Sequence, residues 1–364
     1  MASRLSSHIL GILFLFTCCC LDMAAQSSLE EGTYYLLNKA SGRFLMAGGN
    51  WGTQAVLANH ALPLTLEKAG ENTYYIHTGF DKNGDGCLCL TNEGLFLDSY
   101  KMAWTILDGQ TGCHVILNPY GGCIGFDQSD IVETNLPDVS SNEAQWQFLT
   151  HAQLLRQLLT ASAAHPVDAT FLIADARFDR NYNMGEWEGS SFAIGGVEGN
   201  NETGNFCAEV WNANFDIHQQ LENIPNGRYQ LKAQGFYRYN NTRDNTNRIA
   251  LQAHNNGFEQ LRAELYANDA STPLQSIASE YDNMADMGLS GSSSGLPFSM
   301  AEAAYAFSAG LYTDNELTVT VNNHQLTIGV RKNHKDGCDW TIWDNIELTL
   351  LQAYNNDDYQ IEDS

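Results

Sequence analysis

The chain has 364 residues, 43% of them hydrophobic and 17% charged, with 43 acidic side chains against 18 basic ones and a formal net charge of −25 at pH 7. A field of that sign repels nucleic acid and anionic lipid, so neither is expected as a partner. Solubility is its plain use, and a cation or a neutral polymer is compatible with it.

Residues 1–25 read as a secretory leader. Arg4 and His8 precede the apolar run Ile9 to Phe16, followed by Cys18-Cys19-Cys20 and then Met23-Ala24-Ala25-Gln26. The run is too short to remain as a bilayer-spanning helix, and no later stretch offers a membrane span. The expectation is export after cleavage near Ala25, to the medium, the periplasm or the cell surface. Lipid attachment at Cys18 is the alternative, though bulky Phe16 stands where a small residue is usual. The length that is left predicts two domains.

Residues 31–150 read as short strands between Gly-, Asn- and Asp-rich turns. Three stretches share an outline and begin at Tyr34, Tyr74 and His114, about 40 residues apart. Asp81-Lys82-Asn83-Gly84-Asp85-Gly86 has the oxygen spacing that opens a calcium loop, but Asn92 replaces the closing bidentate Glu, and a plain Asn/Gly turn is the alternative. Over residues 151–165, Leu154, Leu155, Leu158 and Leu159 recur at helical spacing until Pro166, predicting a linker helix with its leucines between the domains.

Residues 166–352 are again mostly strand by pattern. Phe215, Ile217 and Leu221 keep a period of two broken only at Gln219, and Tyr229, Leu231 and Ala233 resume it. Pro225-Asn226-Gly227 between them reads as a hairpin turn, and so does Asn322-Asn323. Further strands are expected at 170–173, 248–254, 262–268, 274–278, 316–321, 325–331 and 340–351. Ser299 with Glu302 has capping-box spacing before a helix that Gly310 ends, with Phe298 as its staple. Residues 353–364 form an acidic tail expected to be disordered.

Six cysteines follow the leader: Cys87, Cys89, Cys113, Cys123, Cys207 and Cys338. An even number in an exported chain permits disulfides. A Cys207–Cys338 bridge is expected if the strands they precede are neighbours. The pairing of the front four stays open, with buried free thiols as the alternative.

A sugar offers an apolar face edged with hydroxyls, so a sugar site wants an exposed aromatic plane beside Asn, Asp, Gln or Arg. Trp187 between Glu186 and Glu188, Trp211 beside Asn212, Tyr237 with Arg238, and Trp340 after Asp339 fit that chemistry. Trp187 and Trp211 are the best exposed candidates, Arg238 the best hydrogen-bonding partner, and core burial is the competing assignment for each. Trp343, alternating with Ile342 and Ile346, belongs in the core. Catalytic patterns are thin. Gly291-Ser-Ser-Ser-Gly295 meets a serine-hydrolase spacing without the strand it needs, and Glu186 with Glu188 shows no cleft. His60, His218, His254 and His334 are scattered and read as solvated.

The order of motifs adds a resemblance. Asp168-Ala-Thr-Phe-Leu-Ile, Cys207-Ala-Glu, Pro225-Asn-Gly-Arg-Tyr, Gly235-Phe-Tyr-Arg, Ala263-Glu-Leu-Tyr-Ala-Asn and Cys338-Asp-Trp-Thr-Ile-Trp-Asp-Asn-Ile-Glu-Leu resemble a domain of secreted gut-bacterial proteins that is similar to galactose-binding-like jelly rolls. Phe44-Leu with Gly48-Gly-Asn-Trp-Gly-Thr-Gln resembles its companion module, and the 40-residue period resembles a β-trefoil of ricin-B type. Met102 and Ala144 stand where that type has the Gln of its Gln-x-Trp signature. The resemblance implies an all-β protein: a trefoil-like N-terminal domain, a linker helix and a β-sandwich of carbohydrate-binding-module type. It implies glycan attachment without catalysis and a structural calcium, for which Asp175, Asp179, Glu209 and Asp344 are the candidates. An accessory polysaccharide hydrolase or lyase and a protein-binding scaffold or adhesin are the alternatives.

Overall fold

The computed structural model describes residues 29–362 apart from 49, 81–84, 179–185, 197–204, 241–245, 285–286, 288–294 and 355. The leader, most of the calcium-like loop, Asp179 and the Gly291–Ser294 run therefore lie outside the described residues. None of the described helices is long and apolar enough to cross a membrane.

The front region is built from three units of four strands. The first holds β1 (Gly32–Asn38), β2 (Phe44–Gly48), β3 (Gln54–Ala58) and β4 (Leu64–Gly70). The second holds β5 (Thr73–His77), β6 (Cys87–Thr91), β7 (Gly94–Ser99) and β8 (Trp104–Asp108). The third holds β9 (His114–Leu117), β10 (Cys123–Gly125), β11 (Glu133–Leu136) and β12 (Trp146–Leu149). Pairing runs β1–β4–β5–β8–β9–β12 and back to β1, so six strands close into a ring. Each unit adds one hairpin: β2–β3, β6–β7 and β10–β11. The 40-residue period is visible in the packing. Leu36, Ile76 and Ile116 on the first strands are all fully buried. Leu64, Trp104 and Trp146, opening the fourth strands, are buried too, and both indoles donate to hairpin carbonyls, Leu88 at 2.8 Å and Ile124 at 3.0 Å. Closure leaves no ring edge open to another chain.

Helix α1 (His151–Leu158) follows at once, opened by a Thr150–Gln153 capping box. Leu155 and Leu158 enter the rear core, while Leu154 packs with Tyr35 and Ala61 of the front region.

The rear region continues with β13 (Val167–Asp168), β14 (Glu188–Gly189), β15 (Ala193–Gly195), β16 (Cys207–Trp211), β17 (Phe215–Glu222) and β18 (Gly227–Arg238). Then come α2 (Thr246–Asn255), β19 (Ala263–Ala267), β20 (Ala270–Pro273), β21 (Gln275–Ser276) and α3 (Met300–Ser308). It ends with β22 (Asn315–Val321), β23 (Gln325–Lys332) and β24 (Trp340–Ala353). One sheet runs β15-β16-β24-β18-β21, with β13 on β24 and β22 on β18. The other runs β14-β17-β23-β19-β20. The main hydrophobic core lies between them, drawing Phe215, Ile217 and Leu221 from one and Tyr229, Leu231, Trp343 and Leu348 from the other. The molecule is mostly β, and its rear region is a β-sandwich.

Several expectations need correcting. Pro225-Asn-Gly is not a hairpin turn, because β17 and β18 sit in different sheets. Asn322-Asn323 likewise joins β22 and β23 across the sandwich. The two arches lie at one end, locked where Ile224 N donates to His324 O at 3.1 Å and His324 N to Asn226 Oδ1 at 3.0 Å. The expected strand at 248–254 is helix α2, whose Ala250 and Ala253 are buried at helical spacing. The expected strand at 170–173 is a short 3-10 turn. In the acidic tail, Tyr359 is buried, stacks on His324 and donates to Asn223 O at 2.8 Å.

All six described cysteines are free and buried, so the Cys207–Cys338 bridge is not formed. Register gives the reason. Ala208 lies opposite Trp343 and Trp211 opposite Trp340. Cys207 therefore faces the far part of β24, six positions from Cys338, or ~20 Å at ~3.3 Å per residue, well beyond disulfide reach.

Candidate functional site

Register across three neighbouring strands lines up Trp211 on β16, Trp340 on β24 and Arg238 on β18. Partners in register share a face, and Trp340 belongs to the cluster that α3 covers, so the row lies on the outer face of its sheet. Trp343, an odd number of positions along β24, points into the core instead, as expected.

Trp211 is 48% exposed, whereas Trp340 and Arg238 are buried. The Arg238 guanidinium carbon lies 4.9 Å from the Trp340 ring centre and 5.1 Å from that of Trp211, so one buried cation supports both indoles. Arg238 Nη1 donates to Asn247 Oδ1 at 3.0 Å, and Asn247 is held by Leu296 O and Pro297 O. Burial pulls the guanidinium down to about 10 against the opposing pull of Glu209. Glu209 accepts from Trp340 Nε1 at 2.6 Å, and burial pushes its carboxyl up. Two buried polar atoms of the row and its flank, Arg238 Nε and Asn212 Oδ1, have no hydrogen-bond partner among the described residues. Buried polar atoms are rarely left so.

The other expected sugar contacts do not join this surface as platforms. Trp187 is 7% exposed, rests on Phe178 and donates to Ala174 O at 3.1 Å. Glu186, Glu188 and Gly189 are exposed while the indole turns inward. Tyr237 is fully buried, its hydroxyl 2.9 Å from both Asp336 Oδ2 and Asp339 Oδ2.

Among the described residues no group of three or more His, Cys, Asp or Glu is placed to hold a metal ion. Glu209 is engaged by Trp340, and Asp344 is buried against Asn205 at 2.9 Å. Asp175 lies at a left-handed turn (φ 46°) far along the chain from both.

Sequence reasoning missed two features. Trp51 is 58% exposed at the β2–β3 tip with φ 62°, an unusual backbone for a bulky residue, and the glycines around it were the available signal. His60, read as solvated, is largely covered between the two regions. Its Nδ1 lies 3.2 Å from Asp168 Oδ1 and its Nε2 3.3 Å from Glu347 Oε1. Burial pushes the imidazole down, but the two carboxylates outweigh it and hold the pKa at about 9. The same contact lowers Glu347. Beside His60 a cavity of about 380 Å³ separates front-region Met46, Leu62 and Phe80 from Phe171 and Ile173 of the rear region.

Because the folded pKa of His60 is raised above its ordinary 6.5, the stability it contributes is complete below that value and is lost as pH rises through about 9. His60→Gln is expected to cost about 1–2 kcal/mol near pH 6, given partly exposed partners. Denaturant melts of both proteins should converge above about pH 9. A gap that is constant with pH would mean that the imidazole is not the charged partner.

No known protein family's sequence profile matches the chain, and no curated protein matches it. Solved structures that bear a likeness include the following two. One is a salivary protein from Culex quiquefasciatus that belongs to the Cysteine and Tryptophan-Rich family (14% identity, 34% of this chain and 95% of that one, TM-score 0.28). The other is the carbohydrate-binding module TmCBM61 in complex with β-1,4-galactotriose, at 11% identity over 49% of this chain and 96% of that one, with a TM-score of 0.27.

Proposed function

We propose that this is an exported, non-catalytic carbohydrate-binding protein whose Trp211 surface holds a glycan. The observation that carries the reading is the half-exposed Trp211 indole, fixed over a buried guanidinium in a three-strand row. A sugar ring stacks on such a plane through its C–H face. The buried Arg238 guanidinium backs that plane from the other side. The net charge of −25 favours a neutral glycan over an acidic one. The closed six-strand ring with three hairpins and a 40-residue period supports reading the front region as a β-trefoil, and the rear sandwich as a galactose-binding-like jelly roll. The leader-like sequence supports export, and a structural calcium is part of the proposal.

Trp211→Ala is expected to lower retention on an insoluble neutral glycan at least tenfold and leave thermal stability within a few degrees. Undiminished retention removes Trp211 from the site, and a large loss of stability makes it a core residue. Release of new reducing ends by the wild-type protein would favour the hydrolase alternative.

A further inference from the structure

We infer that the cavity between the front and rear regions is a second binding site, for a neutral saccharide of one or two residues. The inference rests on the carbohydrate reading but on none of the Trp211 residues. The cavity holds about 380 Å³, within the ~300–1,000 Å³ of small-molecule sites, and lies at a junction between regions, where such sites concentrate.

The gap is held open by polar struts. His60 bridges Asp168 and Glu347, and Arg177 Nη1 donates to Ala47 O at 2.8 Å. On the rear side the wall is the 170–177 strap, fixed from behind. Ala174 N donates to Gln219 Oε1 at 3.0 Å, and Ala174 O accepts from Gln219 Nε2 at 2.7 Å and from Trp187 Nε1 at 3.1 Å. Ile346 N closes the strap by donating to Ala176 O at 2.8 Å. Gln219, the residue that breaks the period of two on β17, is buried in order to hold this wall. Apolar surfaces that would gain by meeting are thus kept apart on both sides, as a preformed site requires.

The lining gives the ligand class. Met46, Leu62 and Phe171 offer apolar faces, while Asp175, Glu186 and Asn345 bring oxygen and amide groups of the kind that take hydroxyls. With Glu347, three carboxylates line the cavity against two cations, each already holding a partner, so an anionic ligand is disfavoured. The volume is of the size that one or two sugar residues fill.

The test is methyl NMR on the full chain carrying ¹³C-methyl methionine, with the Met46 signal assigned through Met46→Leu. The probes are galactose, glucose, lactose, cellobiose and maltose, with glucuronate and choline as charged controls. At least one neutral sugar should shift Met46 saturably in wild type and in Trp211→Ala alike. Ala174→Phe, which fills the cavity, should abolish the shift, and Glu186→Ala, at an exposed position, should weaken binding at least fivefold while the protein stays folded. Silence toward all five sugars overturns the proposal. So does a response to glucuronate or choline alone, or a Met46 shift that vanishes in Trp211→Ala. Glycan retention measured on the same variants reads the Trp211 surface separately, so either site can fail while the other stands.

Discussion

Lys332→Met should be among the most damaging single substitutions in the molecule, at about 3–5 kcal/mol, because it leaves a buried carboxylate without its cation. Lys332 and Asp339 are both fully buried, with Nζ 2.7 Å from Oδ1. The ammonium also lies 5.7 Å from the Phe215 ring centre and 5.5 Å from that of Tyr237. Burial pulls the lysine pKa down while Asp339 opposes it. Asp339 additionally accepts from Asp336 N at 2.9 Å and faces the Tyr237 hydroxyl, so its oxygens stay fixed after the lysine is gone. Urea denaturation should show the loss, and adding Asp339→Asn should restore about 1–3 kcal/mol, since a neutral amide costs far less to bury. No recovery in the double variant would mean that packing around the lysine stem, not charge, is what was removed.

Trp343→Ala should cost a comparable ~3–5 kcal/mol through cavity formation. The indole is fully buried, stacks on Phe215 at 5.8 Å with a 10° interplanar angle, and meets Phe178 edge-on at 6.1 Å. These rings join strands from both sheets to the strap that walls the junction cavity. Trp343→Phe should keep much of the stability, because a second ring can still stack. Equal losses for Ala and Phe in denaturant titrations would indicate that ring shape, not buried volume, sets the cost.

Residue pattern gave the faces of the strands more readily than their partners. Alternation at Phe215, Ile217, Tyr229 and Leu231 identified core positions correctly, since period two is a local property. Which strand lies beside which is a long-range property, and a Pro-Asn-Gly turn serves an arch between sheets as well as a hairpin within one. The 40-residue spacing was legible because the same buried position recurs at Leu36, Ile76 and Ile116. Among the aromatic candidates, Trp211 is exposed as its neighbours suggest and Trp187 is not. Polar neighbours describe the backbone's exposure, while the side chain turned inward to a carbonyl it could satisfy. His60 carried no signal at all, for its carboxylates come from positions 168 and 347.

The pairing of β13 with the end of β24 sets Val167 directly across from Leu350. Antiparallel partners stand only ~4.5–5.5 Å apart, so the polypeptide enters and leaves the sandwich through a single doorway. That unit could be spliced into a surface loop of an unrelated host with a few spacer residues at each junction, and joining its own ends would permit new termini to be cut elsewhere.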